Sequence, residues 1–304
     1  MRPRESTDIY RRRVNRVIDQ IKDNLTEPLP IENLARLAHF SPFHFHRIFR
    51  SIVGEPLHAY IRRLRLEKAV FRMQHGPKAT LTAIALRAGF ASASDFSRAC
   101  KQMFGFSPRA LSRDRVMQDS KIRQDLPATA EYDFARLPDM RNLDRFRVRL
   151  VDRPGQRIAY ERVIGSFDPQ RLLAGFDRLI AWGRRHGLVP GAQLIGKSLD
   201  DPEITPMSKY HFDWCLVVPP GLDRDSEVSF GAIPANRYAV VHCAGYIHKE
   251  FRAWQHLYYA WLPSSSYEPA DAPMMEVYRC HPLELGWKTI DIDRCLPVRP
   301  LRSR

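Results

Sequence analysis

The apolar positions of Ser41 to Gly54 (SPFHFHRIFRSIVG) return at helical spacing: Phe45, Ile48, Phe49 and Ile52 stand at i, i+3, i+4 and i+7. They predict an amphipathic helix with one stripe for packing. Phe43, His46, Arg47 and Arg50 recur at the same spacing on another face. Arginine, histidine and a lone aromatic projecting together offer a forked donor for guanine, a second donor or acceptor, and an apolar contact for a thymine methyl. A solvated face with no partner uses the same residue types, so this helix alone leaves both readings open.

The pattern then repeats. Fifty-one residues on, in Ser92 to Gly105 (SASDFSRACKQMFG), Ser92, Phe96, Arg98, Lys101 and Gly105 match Ser41, Phe45, Arg47, Arg50 and Gly54. A shorter apolar helix precedes each copy, Ile31 to Phe40 and Leu81 to Phe90, at an offset of fifty, so the second turn carries one extra residue. Helix, tight turn and helix, twice over, predict two helix-turn-helix units. The outward face of the second copy offers mainly Ser94, Ser97, Arg98 and Lys101, which predicts phosphate anchoring more than base discrimination.

Around these units the periodicity sets the rest of an all-α first half. Asp8 to Leu25 carries apolar positions along one side behind a candidate N-cap at Thr7 or Asp8, and predicts a first supporting helix after a flexible N-terminus, residues 1–7. Pro28 and Pro30 break the chain, and Leu57 to Gln74 forms a joining helix whose length of roughly 27 Å suits two recognition helices about one DNA turn (~34 Å) apart. The first domain is expected at 8–115. Weak periodicity over 116–144 predicts a linker. From 145 to 304 the pattern changes to strands and helices in the order β-α-β-β, run through twice: strands over Phe146 to Val151 and Arg157 to Val163, a helix over GSFDPQRLLAGFDRLIAWGRRHGL, AQLIGKSLD and YHFDWCLVVP; then RYAVVHC, a helix over KEFRAWQHLYYAWL, MMEVYRC and KTIDI. Two such units predict an α+β domain with helices on one side and a groove at the seam between halves, where ligands favour binding.

Charge sharpens the division. The chain of 304 residues carries a formal +14, yet residues 1–115 hold 22 Lys and Arg against 10 Asp and Glu, a surplus of 12, leaving only +2 for the remainder. A basic half beside a nearly neutral one points to a polyanion-binding module joined to something with another task. The start MRPRESTDIY has no apolar run behind its basic residues, and no stretch approaches membrane-spanning length, so the expected location is cytoplasmic with no membrane partner. The five cysteines are scattered without CxxC, and none of the eleven histidines forms HxxxH or HExxH, which predicts free thiols, no metal site and no cofactor.

The run SPFHFHRIFRSIVGEPLHAYIRRLRLEKA followed by LTAIALRAGFASASDFSRACKQMFGFSPRAL resembles the DNA-binding domain of the AraC/XylS family of bacterial transcription regulators. The resemblance implies that Phe43, His46 and Arg47 enter one major groove and Ser94, Ser97 and Arg98 the next. Three positions depart from the family's habit: Cys100 where Phe is frequent, Leu111 where Tyr is frequent, and His39 at a turn position that often carries Gly. The first two predict looser packing of the second repeat.

RYAVVHCAGY, the helix ending in WLP, MMEVY and DDPEITPMSKYHFDWC are similar to the gyrase-inhibitor-like (GyrI-like) effector-binding domain. That resemblance implies an amphipathic or cationic small-molecule effector, with Glu276 as the ligand-facing carboxylate and Tyr278 beside it. The tail departs from the pattern, because DIDRCLPV interposes Arg294 and Cys295. The residues make an independent case: alternation puts Glu276 on the same strand face as Met274 and Tyr278, an acid between a thioether and an aromatic. Against it stands a plain ion pair between Glu276 and a neighbouring arginine. Tyr160, Phe212, Trp214, Tyr246 and Trp254 are candidate pocket walls, each also a candidate core residue.

The sequence therefore predicts a one-component regulator with a double-stranded DNA operator, a small-molecule effector and RNA polymerase as partners, and no catalytic step. Two other readings stay open. The second half could be a hydrolase with Glu276 as general base, or a protein-interaction module.

Overall fold

The computed structural model describes residues 3–76, 79–111, 142, 144–200, 205–222, 227–270, 272–287 and 289–301, so most of the expected linker lies outside the described residues. The first half is helical: α1 (Pro3–Asp23), α2 (Ile31–Leu37), α3 (Pro42–Val53), α4 (Leu57–His75), α5 (Leu81–Arg87) and α6 (Ala93–Phe104). α1 begins five residues before the expected cap, with Pro3 in its first position, where a missing N–H costs nothing, and no breaker before Asp8. The stretch 1–7 is thus mostly helix, and Asp8 pairs along the helix with Arg11 at 3.9 Å instead of capping it.

Two apolar cores share α4. Leu57, Tyr60 and Leu64 from its first half join Val14, Val17, Ile18 and Ile21 of α1 and Phe45 and Phe49 of α3. Leu66, Ala69 and Val70 from its second half join Ile84 and Ala85 of α5 and Phe96, Cys100 and Phe104 of α6. Cys100 is completely buried there, which raises its thiol pKa to about 12.

The second half is an antiparallel sheet with helices. Among the described residues its strands are β1 (Val148–Arg153), β2 (Gln156–Ile164), β3 (Leu194–Ser198), β4 (His211–Val217), β5 (Ser229–Ile233), β6 (Asn236–Tyr246), β7 (Tyr267–Pro269), β8 (Met274–Tyr278) and β9 (Thr289–Pro300). They lie in the order β1-β6-β9-β8-β3-β4-β2-β5, with β7 on β9. β3 pairs antiparallel with β8, Gly196 opposite Glu276. α7 (Pro169–Arg185), N-capped by Asp168, packs on one half; α8 (His248–Gln255) packs on the other and continues as a π-helix over His256–Trp261.

Alternation divides the strand side chains between two faces. Ala159, Val163, Phe212, Trp214 and Leu216 lie under α7, and Ala239, Val241, Met274, Ile292 and Leu296 under α8. Ile158, Tyr160, Ile195, Cys215, Tyr238, Val240, Met275, Val277 and Cys295 fill a second core on the opposite face. β9 runs the full length of DIDRCLPV because it is buried on both faces, so the tail that departs from the family pattern is still strand.

Candidate nucleic-acid interface and effector crevice

α3 and α6 are built alike. The Ser41 hydroxyl accepts the His44 N–H at 3.4 Å, and the Ser92 hydroxyl accepts the Asp95 N–H at 3.1 Å, so each helix has a side-chain N-cap. Each ends on a left-handed glycine, Gly54 (φ 84°) or Gly105 (φ 90°), whose N–H donates to Arg50 O or Lys101 O. With Phe45 and Phe49, or Phe96 and Cys100, sealed inside, His46, Arg47 and Arg50 of α3 and Ser94, Arg98 and Lys101 of α6 are left exposed. The Phe43 side chain lies outside the described residues.

The two faces differ in chemistry. Ser97 is half-buried and its hydroxyl donates to the Ala93 carbonyl at 2.8 Å, within its own helix. Arg98, with 73% of its side chain exposed, stands 4.0 Å from Asp95, which Arg62 of α4 approaches at 3.5 Å. The turns differ too. His39 and Gly89 hold equivalent left-handed positions, φ 54° and 91°, and their N–H groups donate to Arg36 O and Leu86 O, each at 3.0 Å. A Cβ on Gly89 would stand 2.7 Å from the Leu25 carbonyl oxygen and 2.8 Å from Arg65 Nε, so the second turn requires glycine.

Charged side chains join the helical half to the sheet. Arg162 of β2 forks onto Asp213 at 2.7 and 2.8 Å and reaches Asp19 of α1 at 2.7 Å, while Lys197 holds Asp213 at 3.1 Å. Burial opposes ionisation of Asp213, but Arg162 and Lys197 outweigh it and keep the carboxyl below its ordinary range. Lys22 of α1 donates to Asp200 at 2.7 Å and to the Leu199 carbonyl at 2.6 Å. The His211 ring, whose pKa burial lowers, bonds Asp200 through Nδ1 at 2.6 Å. From α4, Arg63 binds Glu55 at 2.9 Å and Glu67 at 2.5 Å; Glu67 also accepts from Thr205 at 2.6 Å and Glu55 from Lys209 at 3.0 Å.

On the helix-covered face, Glu276 is buried and already engaged. Arg294 donates to its Oε1 and Tyr278 donates to Oε2 at 3.1 Å. Arg294 also donates to Glu250 of α8 at 2.6 Å. Burial and the neighbouring Glu276 carboxylate push the Glu250 carboxyl up to about 8. Gly196 makes room for this arrangement: a Cβ there would stand 2.5 Å from the Phe212 ring and 3.1 Å from Glu276 Oε2.

A crevice of about 420 Å³ runs past the end of β3, the start of β8 and the middle of β9, between the sheet and α1 and α4. Trp254, Tyr258, Tyr210, Met274 and Arg294 line it from the sheet half, and Leu64, Phe71, His75, Lys22 and Asp19 from the helical half. Of the expected effector residues, Trp254 borders it. Phe212 and Trp214 belong to the core under α7, with Trp214 Nε1 donating to the Leu172 carbonyl at 3.0 Å. Tyr246 is 66% exposed and stacks on His248, ring centroids 5.8 Å apart. Tyr160 lies on the opposite face, where strand alternation turns it toward α1, and its hydroxyl donates to Asp19.

Sequence reasoning did not single out Glu250, Tyr258, Tyr210, Phe71 or His75. Arg294 was visible as the residue interposed in the tail. Among the described residues no group of three or more His, Cys, Asp and Glu is placed to hold a metal ion, and no helix is long and apolar enough to cross a membrane.

Comparison with known proteins adds two family matches: a GyrI-like small molecule binding domain over residues 146–299 and a helix-turn-helix domain over residues 34–114. The chain is 31% identical to the transcriptional regulator Rob of Salmonella typhimurium over 39% of this chain and 42% of that protein, and thus spans less than half of it. It is 32% identical to the HTH-type transcriptional activator AarP of Providencia stuartii over 34% of this chain and 77% of that protein. Among solved structures, the EcmrR C-terminal domain matches 51% of this chain and 99% of its own at 16% identity, TM-score 0.41.

Proposed function

The chain belongs to the GyrI-like small-molecule-binding family and carries an AraC-type helix-turn-helix region, and from that premise we propose that it is a sequence-specific transcription regulator whose sheet half senses a small effector. In this reading the helix pairs α2–α3 and α5–α6 are two helix-turn-helix units within domain 8–115, and the domain 145–304 is two β-α-β-β copies joined at β3–β8. The observation that carries it is the matched pair of capped helices, α3 and α6, each with an exposed basic face and each seated on one half of α4. Phe43, His46, Arg47 and Arg50 would meet one major groove of an operator, and Ser94, Ser97, Arg98 and Lys101 the next. Since Ser97 bonds its own helix and Asp95 stands beside Arg98, the second unit would anchor phosphates more than read bases.

RNA polymerase is the partner such a regulator would address in the cytoplasm. An amphipathic effector suits the aromatic residues of the sheet half. A cationic one would have to displace Arg294 to reach Glu276, whose oxygens both already carry hydrogen bonds. The same engagement disfavours Glu276 as the base of a hydrolase. Selection of bound DNA from a random library tests the reading. Arg47→Ala should weaken binding by about 1 to 3 kcal/mol and blur one base-pair position, whereas Lys101→Ala should weaken all sequences alike. Recovery of no preferred sequence would refute it.

A further inference from the structure

We propose that the effector occupies the crevice between the two halves, with α4 as one of its walls, so that an occupant resets how α4 and the two helices seated on it lie against the sheet. The proposal rests on the reading that the sheet half binds a small molecule, and adds where, what kind, and with what consequence.

The crevice, about 420 Å³, falls within the range of roughly 300 to 1,000 Å³ that drug-sized ligands fill. Its aromatic side comes from both halves. Phe71 of α4 meets Tyr258 edge-on at 5.6 Å, and His75 at the end of α4 lies 4.9 Å from Tyr258 and 5.6 Å from Tyr259. Tyr258 and Tyr259 both belong to the π-helical stretch His256–Trp261. Its wider turn lets two adjacent residues address the same histidine, and such stretches recur at functional sites. The wall is therefore the joint itself.

Four carboxylates and four cations line the crevice, and the polar group on it with an unfilled donor is the Arg294 guanidinium. Arg294 borders the crevice and is 7% exposed; its Nη1 holds Glu250 and Glu276, while its Nε, buried, has no hydrogen-bond partner. A buried donor without a partner is costly unless something fills it. Glu276 does not border the crevice; Asp19, Asp23, Glu67 and Asp200 do, and Asp19, Glu67 and Asp200 already hold Arg162, Arg63 and Lys22. The geometry thus favours a planar aromatic amphipath with an acceptor such as a sulfonate, carboxylate or carbonyl over a bare organic cation.

The consequence follows from α4. Its first half packs in the core of α3 and its second half in the core of α6, so a tilt of this one helix moves both. An occupant that prefers one tilt shifts DNA affinity, and DNA must shift the occupant's affinity by the same factor.

The test uses the full chain with 1-anilinonaphthalene-8-sulfonate as an aromatic acceptor probe and rhodamine 6G as an aromatic cation, followed by fluorescence titration and hydrogen exchange. Ala272→Trp fills the crevice, with Ala270→Trp as a second filler if the first fails to fold. The expected result is sulfonate binding that slows exchange of the 57–75 amides at least threefold and weakens at least tenfold in a folded filler variant. No sulfonate binding, equal binding by a folded filler, or binding with α4 exchange unchanged would each overturn the site. Tighter binding of rhodamine 6G would overturn the acceptor chemistry. None of these readouts involves DNA, so a chain that selected no operator would sink the regulator reading while this result stood on its own.

Discussion

Replacing Glu250 by glutamine should make the protein less sensitive to alkaline pH. In the native state burial and Glu276 push the Glu250 carboxyl up to about 8, against 4.5 for an ordinary glutamate. Between those values the native state holds a proton that the unfolded chain releases, so unfolding becomes easier as pH rises. The stabilisation is fully present below about 4.5 and is lost as pH climbs through about 8. At about 1.4 kcal/mol per pH unit, less the part of the range above the native pKa, going from pH 6 to pH 9 removes about 2 to 3 kcal/mol. Glutamine keeps the shape and carries no proton to lose. Groups that titrate in both proteins cancel in the comparison. For a domain of this size the difference corresponds to about 5 to 10 °C in Tm. Calorimetric melts of both proteins at pH 6 and pH 9 give the answer: the variant should gain on the wild type by that amount at the higher pH. A gap that stayed constant between the two pH values would refute the account of this buried carboxylate.

Three further outcomes are expected. His39→Gly should stabilise the helical half by about 0.5 to 1 kcal/mol in urea denaturation, since a left-handed residue with a Cβ is replaced by one without, while Gly89→Ala should cost more than that gain because its Cβ meets the Leu25 carbonyl. Arg162→Met should cost about 3 to 5 kcal/mol, as read by chemical denaturation, by leaving the buried Asp213 carboxylate with Lys197 alone. DNA affinity should fall steeply between 50 and 200 mM salt, with a slope set by the number of phosphates contacted; a flat titration would contradict an interface built on Arg47, Arg50, Arg98 and Lys101.

The helices of the first half were legible because their spacing and punctuation agree. Serine before the apolar run and glycine after it mark α3 and α6, and both ends are where the side chains predict. Several strands of the second half were legible through continuous apolar runs such as RYAVVHC, in which Tyr238 to Val241 are all buried. β5 was not, because SFGAI buries only its two ends, and β7 was not, because three residues with a proline carry no period. The π-helical stretch reads as ordinary helix at 3.6 residues per turn. Tyr160 shows a deeper limit: alternation assigns it to one of two faces, but not which face meets the helices of its own domain and which meets α1. The ion pairs across the joint, such as Lys22 with Asp200, connect residues far apart in sequence and leave no local trace.

The ties from Asp19 and Lys22 reach the sheet from a helix that reads as part of the other domain. Anyone hoping to exchange DNA specificities by grafting residues 8–115 of a relative onto this sheet would need to bring matching groups on the grafted α1 as well. Without them Arg162 loses one of its two carboxylates, Asp200 loses its lysine, and the chimera meets its new head across an open seam.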